Sequence, residues 1–188
     1  MSTLCAEEEG LLREIVERPG EGWPRLVYAD WLEDNGRGPG DAADARDIRE
    51  GVTYRLTLPA AADLLRGAAG VLPGGCEVES CGGLVVGVRL PLADWVARGR
   101  ALVKEFPLRR VELSDRRPVH ESGDWSWHPD FNIPAAGCRV PRALLGRLEG
   151  HSPEHPLWRA YPTEKEAVDA MSAACLAWAR DPAPLASG

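Results

Sequence analysis

The chain has 188 residues, 44% hydrophobic and 27% charged, with a net charge of −7 and a pI near 5.2. That apolar share can build a core without metal or disulfide staples, and no apolar run is long enough to cross a membrane. Five widely spaced cysteines read as reduced thiols, and the acidic start Glu7-Glu8-Glu9 lacks the pattern of an export leader, so the expected location is cytoplasmic.

Glu7 to Glu17 reads as a first helix, with Leu11, Leu12, Ile15 and Val16 on one face and acidic residues in its early turns. Arg18-Pro19-Gly20-Glu21-Gly22 ends it, because proline and glycine continue a helix only at a cost. Pro24 suits the start of a second helix, whose expected buried stripe is Val27, Tyr28, Trp31 and Leu32 and whose end is a left-handed cap at Asn35-Gly36. The pair makes an αα-hairpin. A polar loop over 37–44 then leads to a short helical piece over Ala45–Arg49.

The middle of the chain changes period. Thr53–Leu58 alternates as a strand, Pro59 opens a helix to about Ala69, and a short strand follows near Cys76–Ser80. Leu84–Leu90 is a second clear strand. Pro91 opens a helix with Leu92, Trp95, Val96, Gly99, Leu102, Val103 and Phe106 on its apolar face, and Leu108–Leu113 is the next strand. So short a strand–helix–strand return implies a right-handed parallel crossover. Arg55–Leu58, Arg89–Leu92 and Arg110–Leu113 share an Arg-apolar-X-Leu pattern reminiscent of leucine-rich-type units. Residues 114–140 read as irregular, Pro141–Leu148 as a short helix, and Thr163-Glu164-Lys165-Glu166 as a capping box opening a last helix with Val168, Met171, Cys175 and Trp178 inward. Ala183–Gly188 is expected to be a disordered tail.

The segment Pro24-Arg25-Leu26-Val27-Tyr28-Ala29-Asp30-Trp31-Leu32-Glu33-Asp34-Asn35-Gly36, followed by Ala45-Arg46-Asp47-Ile48-Arg49, resembles the bacterial repeat-companion domain. The resemblance covers about residues 8–50, with looser similarity of 89–117 and 161–180 to extensions of stand-alone members. Asp47 stands where that family usually carries Phe. The resemblance implies a helical domain, often found beside leucine-rich-type repeats, and brings no catalytic residue and no cofactor.

Sequence chemistry points the same way. No nucleophile elbow, Walker loop or dinucleotide-binding glycine pattern occurs. His120, Glu121, Asp124, His128 and Cys138 are the residues a metal enzyme would use, but their spacing matches no compact zinc motif. Charge is uneven: residues 1–50 hold 6 basic and 13 acidic side chains, whereas 89–117 hold 8 and 4. Arg109 and Arg110 in that basic stretch are the candidate contacts for RNA or single-stranded DNA. Arg116, Arg117, His120, Trp125, Trp127, His128 and Phe131 form the candidate protein-binding surface, since Trp and Arg dominate interfaces.

The expectation is therefore an α+β fold, with α/β as the variant. Its parts are an N-terminal helical domain over 1–50, which holds the hairpin, and a small α/β domain over 51–182 packed on it, with a mixed sheet, crossover helices of leucine-rich-like units and a C-terminal packing helix. The expected function is a non-enzymatic protein-interaction or adaptor module of a bacterial cytosolic complex, without cofactor or metal, whose partner is another protein. The alternatives are an accessory subunit contacting nucleic acid through 89–117 and a metal-dependent enzyme built on the His120–His128 loop.

Overall fold

The structure is a computed structural model that describes residues 5–36, 38–57, 72–73, 75–121, 124–126, 144 and 161–181. Its helices are α1 (Ala6–Glu17), α2 (Trp23–Asn35), α3 (Pro39–Glu50), α4 (Leu92–Glu105) and α5 (Glu164–Arg180). Its strands are β1 (Tyr54–Thr57), β2 (Glu77–Cys81), β3 (Leu84–Leu90), β4 (Arg110–Leu113), β5 (Val119–Glu121) and β6 (Asp124–Ser126). The fold is α+β, with one four-stranded mixed sheet in the order β1-β2-β3-β4 and a β5-β6 hairpin. The expected helices over 59–69 and 141–148 and the tail at 183–188 lie outside the described residues, except that Leu144 is helical and buried.

Two compact units divide the chain: Met1–Arg89 with Ala101–Arg109, and Leu90–Arg100 with Arg110–Gly188. In the first, Ile15 of α1, Tyr28, Ala29 and Leu32 of α2, and Ala45 and Ile48 of α3 close on Cys81, Leu84 and Val86. β1–β2 and β2–β3 are antiparallel. β2 turns into β3 through Gly82-Gly83 alone, at φ +53° and +75°. Two consecutive left-handed residues match the right-handed twist of a hairpin, and only glycine adopts them without strain. A Cβ on Gly82 would also lie 2.5 Å from the Asp44 carbonyl oxygen and the Ile48 Cγ1, so α3 sits directly on the turn. β3 is buried at every position but Arg89, which is half-buried and forks onto both Glu77 carboxylate oxygens at 3.1 Å. A continuous apolar run covered on both faces is what a central strand requires.

In the second unit, α5 packs on β4 and buries Val111 and Leu113, while Arg110 and Glu112 alternate to the half-exposed side. The Val111 amide donates to the Ser172 hydroxyl at 2.8 Å, which pins helix to strand inside the packing. Asp115 accepts from the Leu92 amide at 2.9 Å and so satisfies one of the orphan donors opening α4. One turn later the buried Trp95 ring lies against Gly99, where a Cβ would stand 2.8 Å from it. Thr163 caps α5 by accepting from the Glu166 amide, as the capping box predicts. The Arg109 amide bonds the Val86 carbonyl, and the Ser114 amide bonds the Leu90 carbonyl. Partners that advance together along both segments make β4 parallel to β3, the crossover expected from sequence.

Four expectations need correction. α3 is twelve residues long and starts at Pro39, so 39–44 is helix rather than loop. Proline at the first helical position loses no hydrogen bond there. Gly36 is extended at φ −62°, ψ 142°, not left-handed; the left-handed cap is Gly51 at the end of α3, φ 68°, whose amide bonds the Asp47 carbonyl. The buried face of α2 is Pro24, Tyr28, Ala29 and Leu32, whereas Val27 is 42% exposed and Trp31 half-buried. Finally, 114–140 is not irregular throughout, because Val119–Glu121 pairs antiparallel with Asp124–Ser126. Of the Arg-apolar-X-Leu segments, Arg55–Thr57 falls in β1 with Leu58 outside the described residues, Arg89–Leu92 runs from the end of β3 into α4, and Arg110–Leu113 is β4.

Candidate functional site

The motif segment folds into α2 and α3, and its polar residues hold the two helices together. Arg49 reaches back from α3 to the Asp30 carboxylate at 2.6 Å and to both oxygens of Glu33. The Arg49 guanidinium holds the Glu33 carboxyl below its ordinary range, and the two carboxylates raise the affinity of Arg49 for its proton. Arg25 donates instead to the Pro19 carbonyl at 2.8 Å. Asp47 leaves the core to Ala45 and Ile48, and its carbonyl accepts from the Gly51 and Val52 amides and, at 3.5 Å, from the Cys81 thiol.

On the first turns of α2, before these pairs, the same outer face stands open. Trp23 is 46%, Leu26 47% and Val27 42% exposed. Positions i, i+3 and i+4 share one side of a helix, so these three make one apolar patch on its first turns. Asp30, Glu33 and Asp34 continue the same side toward the C-terminus and are all exposed. The patch is held in shape by its neighbours. The Trp23 indole donates to Glu21 at 2.5 Å, and the Arg18 guanidinium, paired with Glu14, lies 5.5 Å from the Trp23 ring centroid. Periodicity alone did not single out this patch, because α2 carries apolar residues on both sides.

The residues proposed from sequence are placed as follows. Arg116 is half-buried and turns onto its neighbour Asp115, and Arg117 is exposed. His120 is exposed and stands opposite Trp125 across the β5-β6 pair, the rings edge-on with centroids 5.2 Å apart. Trp125 is half-buried, and its backbone exchanges two hydrogen bonds of 2.7 Å with Tyr161. Trp127, His128, Phe131 and Cys138 lie outside the described residues. Arg109 is exposed, while Arg110 is half-buried with its Nε buried and unbonded among the described residues. The two therefore do not form a single basic face.

Among the described residues, no three His, Cys, Asp or Glu side chains gather as a metal site, and no helix is long and apolar enough to cross a membrane. Cys5 is exposed, and Cys76, Cys81 and Cys175 are buried. Burial pushes the Cys175 thiol up to about 12 and raises that of Cys81 as well, so both are protonated at neutral pH and neither is an activated nucleophile. Comparison with known protein families, with curated proteins and with solved structures finds no match for this chain.

Proposed function

We propose that the protein is a non-enzymatic interaction module, related to the repeat-companion domain, that docks a basic amphipathic helix of a partner protein on the outer face of α2. The observation that carries this reading is the exposed Trp23–Leu26–Val27 patch on a helix whose opposite face is locked into a core. Large apolar side chains gathered on one exposed helix face mark interaction surfaces, and Trp is the residue type most enriched at their centres. Charge selects the occupant. Asp30, Glu33 and Asp34 continue the apolar patch, the first two paired with Arg49, and residues 1–50 hold 13 acidic and 6 basic side chains. A helix presenting apolar anchors at i, i+3 and i+4 with lysines or arginines beyond them complements that face. The buried thiols and the motif's structural use of Asp30, Glu33 and Arg49 support a binding role over a catalytic one.

The test uses two designed amphipathic peptides of about 18 residues with identical apolar anchors, one with lysines on its polar face and one with glutamates. Titration of the full chain by calorimetry should show saturable binding of the basic peptide alone, weakening as salt rises. Leu26→Glu with Val27→Glu should abolish it at unchanged melting temperature. No binding of the basic peptide, or equal binding of both peptides, overturns the proposal. Dimerisation of the chain through this face in sedimentation would overturn it in favour of a second copy as occupant.

A further inference from the structure

We propose that the Trp23 ring, Glu14 and Glu21 form a slot for an arginine of the partner, and that Arg18 fills it as an internal stand-in until the partner displaces it. The inference rests on the docking of a basic helix on α2 and names the residue that anchors one end of that helix. Backbone geometry fixes the slot. The Arg18 amide caps α1 on the Glu14 carbonyl at 3.0 Å, and the Arg18 carbonyl accepts from the Glu21 amide at 3.0 Å, so 18–21 is a tight turn. Arg25 ties that turn to α2 through the Pro19 carbonyl at 2.8 Å. Trp23 then opens α2, one turn before the exposed Leu26 and Val27.

The slot has the parts a guanidinium needs. The Arg18 guanidinium carbon lies over the Trp23 ring, 5.5 Å from its centroid, and the Glu14 carboxylate takes its Nη1 at 3.2 Å. At the ring edge, Glu21 accepts from the indole N–H at 2.5 Å, which adds electron density to the face that attracts the cation. All of this stands in water: the side chains of Arg18 and Glu14 are 48% and 39% exposed, and Trp23 is 46% exposed. A second stack, Arg100 on Trp178 at 5.3 Å, is of the other kind. There the tryptophan is 2% exposed and the Arg100 Nε is buried, so the stack is packing. An exposed ion pair is weak, and an exposed side chain changes rotamer in nanoseconds, so Arg18 is exchangeable. A partner arginine arrives with its apolar anchors already on Leu26 and Val27, which raises its effective concentration at the slot. Arginine is preferred to lysine because a planar guanidinium stacks on the ring while it bonds a carboxylate.

The experiment follows the Trp23 indole N–H resonance, assigned by its loss in Trp23→Phe, while the full chain is titrated with Nα-acetyl-arginine amide. The citrulline amide, a neutral isostere, and the lysine amide are the references. In Arg18→Ala, which vacates the slot, arginine amide should move the resonance saturably with a midpoint of about 10–100 mM, as one exposed stack and one ion pair provide. Wild type should show at most about one-fifth of that shift, because tethered Arg18 competes at high effective concentration. Lysine amide should act more weakly, and citrulline amide should have no saturable effect. In calorimetry, Arg18→Ala should bind an arginine version of the basic peptide about three- to tenfold tighter than wild type. Arg13→Ala, which removes an exposed charge from the same helix outside the slot, controls for net charge. Equal responses to arginine and citrulline in Arg18→Ala, or equal responses of wild type and Arg18→Ala, overturn the slot. So does a peptide that Arg18→Ala binds no tighter than Arg13→Ala does. A peptide that binds none of these proteins, while arginine amide still moves Trp23 in Arg18→Ala alone, overturns the helix docking and supports the slot, so the two readings fail separately.

Discussion

The Tyr28 hydroxyl donates to a Glu8 carboxylate oxygen at 3.1 Å, with Tyr28 fully buried and Glu8 only 2% exposed. This bond joins α1 to α2 inside the core, where a carboxylate that loses a donor is not compensated by water. Tyr28→Phe keeps the ring and removes the donor, so it should cost about 1.5–3 kcal/mol in urea unfolding with unchanged slope. Trp23→Ala, on the exposed side of the same helix, should stay within about 0.5 kcal/mol of wild type. Equal losses for the two variants would refute this division of α2 into a core face and an open face.

The Arg49–Glu33 pair predicts a pH dependence of definite sign. Glu33 has its folded pKa lowered from 4.5, mainly by the hydrogen bond from Arg49. A depressed carboxylate stabilises the fold above its unfolded pKa and loses that contribution as pH falls through the folded value. Wild type should therefore melt above Glu33→Gln at neutral pH, and the gap should close as pH drops below 4.5. High salt should narrow the same gap, since the pair is exposed. Melting curves of both proteins over that range provide the check.

Three glycine-to-alanine variants should differ in sign and size. Gly82→Ala places a Cβ against α3 at positive φ and should cost about 3 kcal/mol from strain and overpacking together. Gly99→Ala pushes into the buried Trp95 ring and should cost about 1–2 kcal/mol net of its better helix propensity. Gly10→Ala, in α1 with nothing within 4 Å of the new Cβ, should stabilise by about 0.5–1 kcal/mol. Thermal melts rank the three.

Thiol reactivity should follow burial. Cys5 is exposed at the start of α1, whereas Cys175 is buried with its thiol at about 12 and Cys81 is raised in the same direction. Among Cys5, Cys76, Cys81 and Cys175, iodoacetamide at pH 8 should label Cys5 first, and the buried thiols only on unfolding. Peptide mapping by mass spectrometry gives the order, and early labelling of Cys175 would contradict the packing of α5.

Elements with a single environment were legible from residue order. β3 is an unbroken apolar run and occupies the expected Leu84–Leu90. The stripe Leu92, Trp95, Gly99, Leu102 and Phe106 of the α4 segment is buried as its spacing predicts, with Val96 and Val103 half-buried. Where a segment carries signals for two environments, periodicity misassigned it. Trp31, placed in the buried stripe of α2, stacks parallel to Tyr28 at 6.1 Å but keeps part of its surface in water. Trp31→Ala should accordingly cost about 2 kcal/mol, less than a fully buried aromatic. The Pro39-Gly40 pair resembles a loop and proves to be the first turn of α3.

Residue order by itself determined the α+β class, the parallel return of β4 onto β3 and the cap of α5, because each rests on local spacing and on groups within a few positions. Tertiary structure decided which side of α2 is core, since apolar residues occupy both sides and only packing with Ile15, Ile48 and Cys81 selects one. It alone brought Arg49 beside Asp30 and Glu33. Charge pairing depends on distance through space, and no local pattern records that Arg49 will meet carboxylates 16 and 19 positions before it.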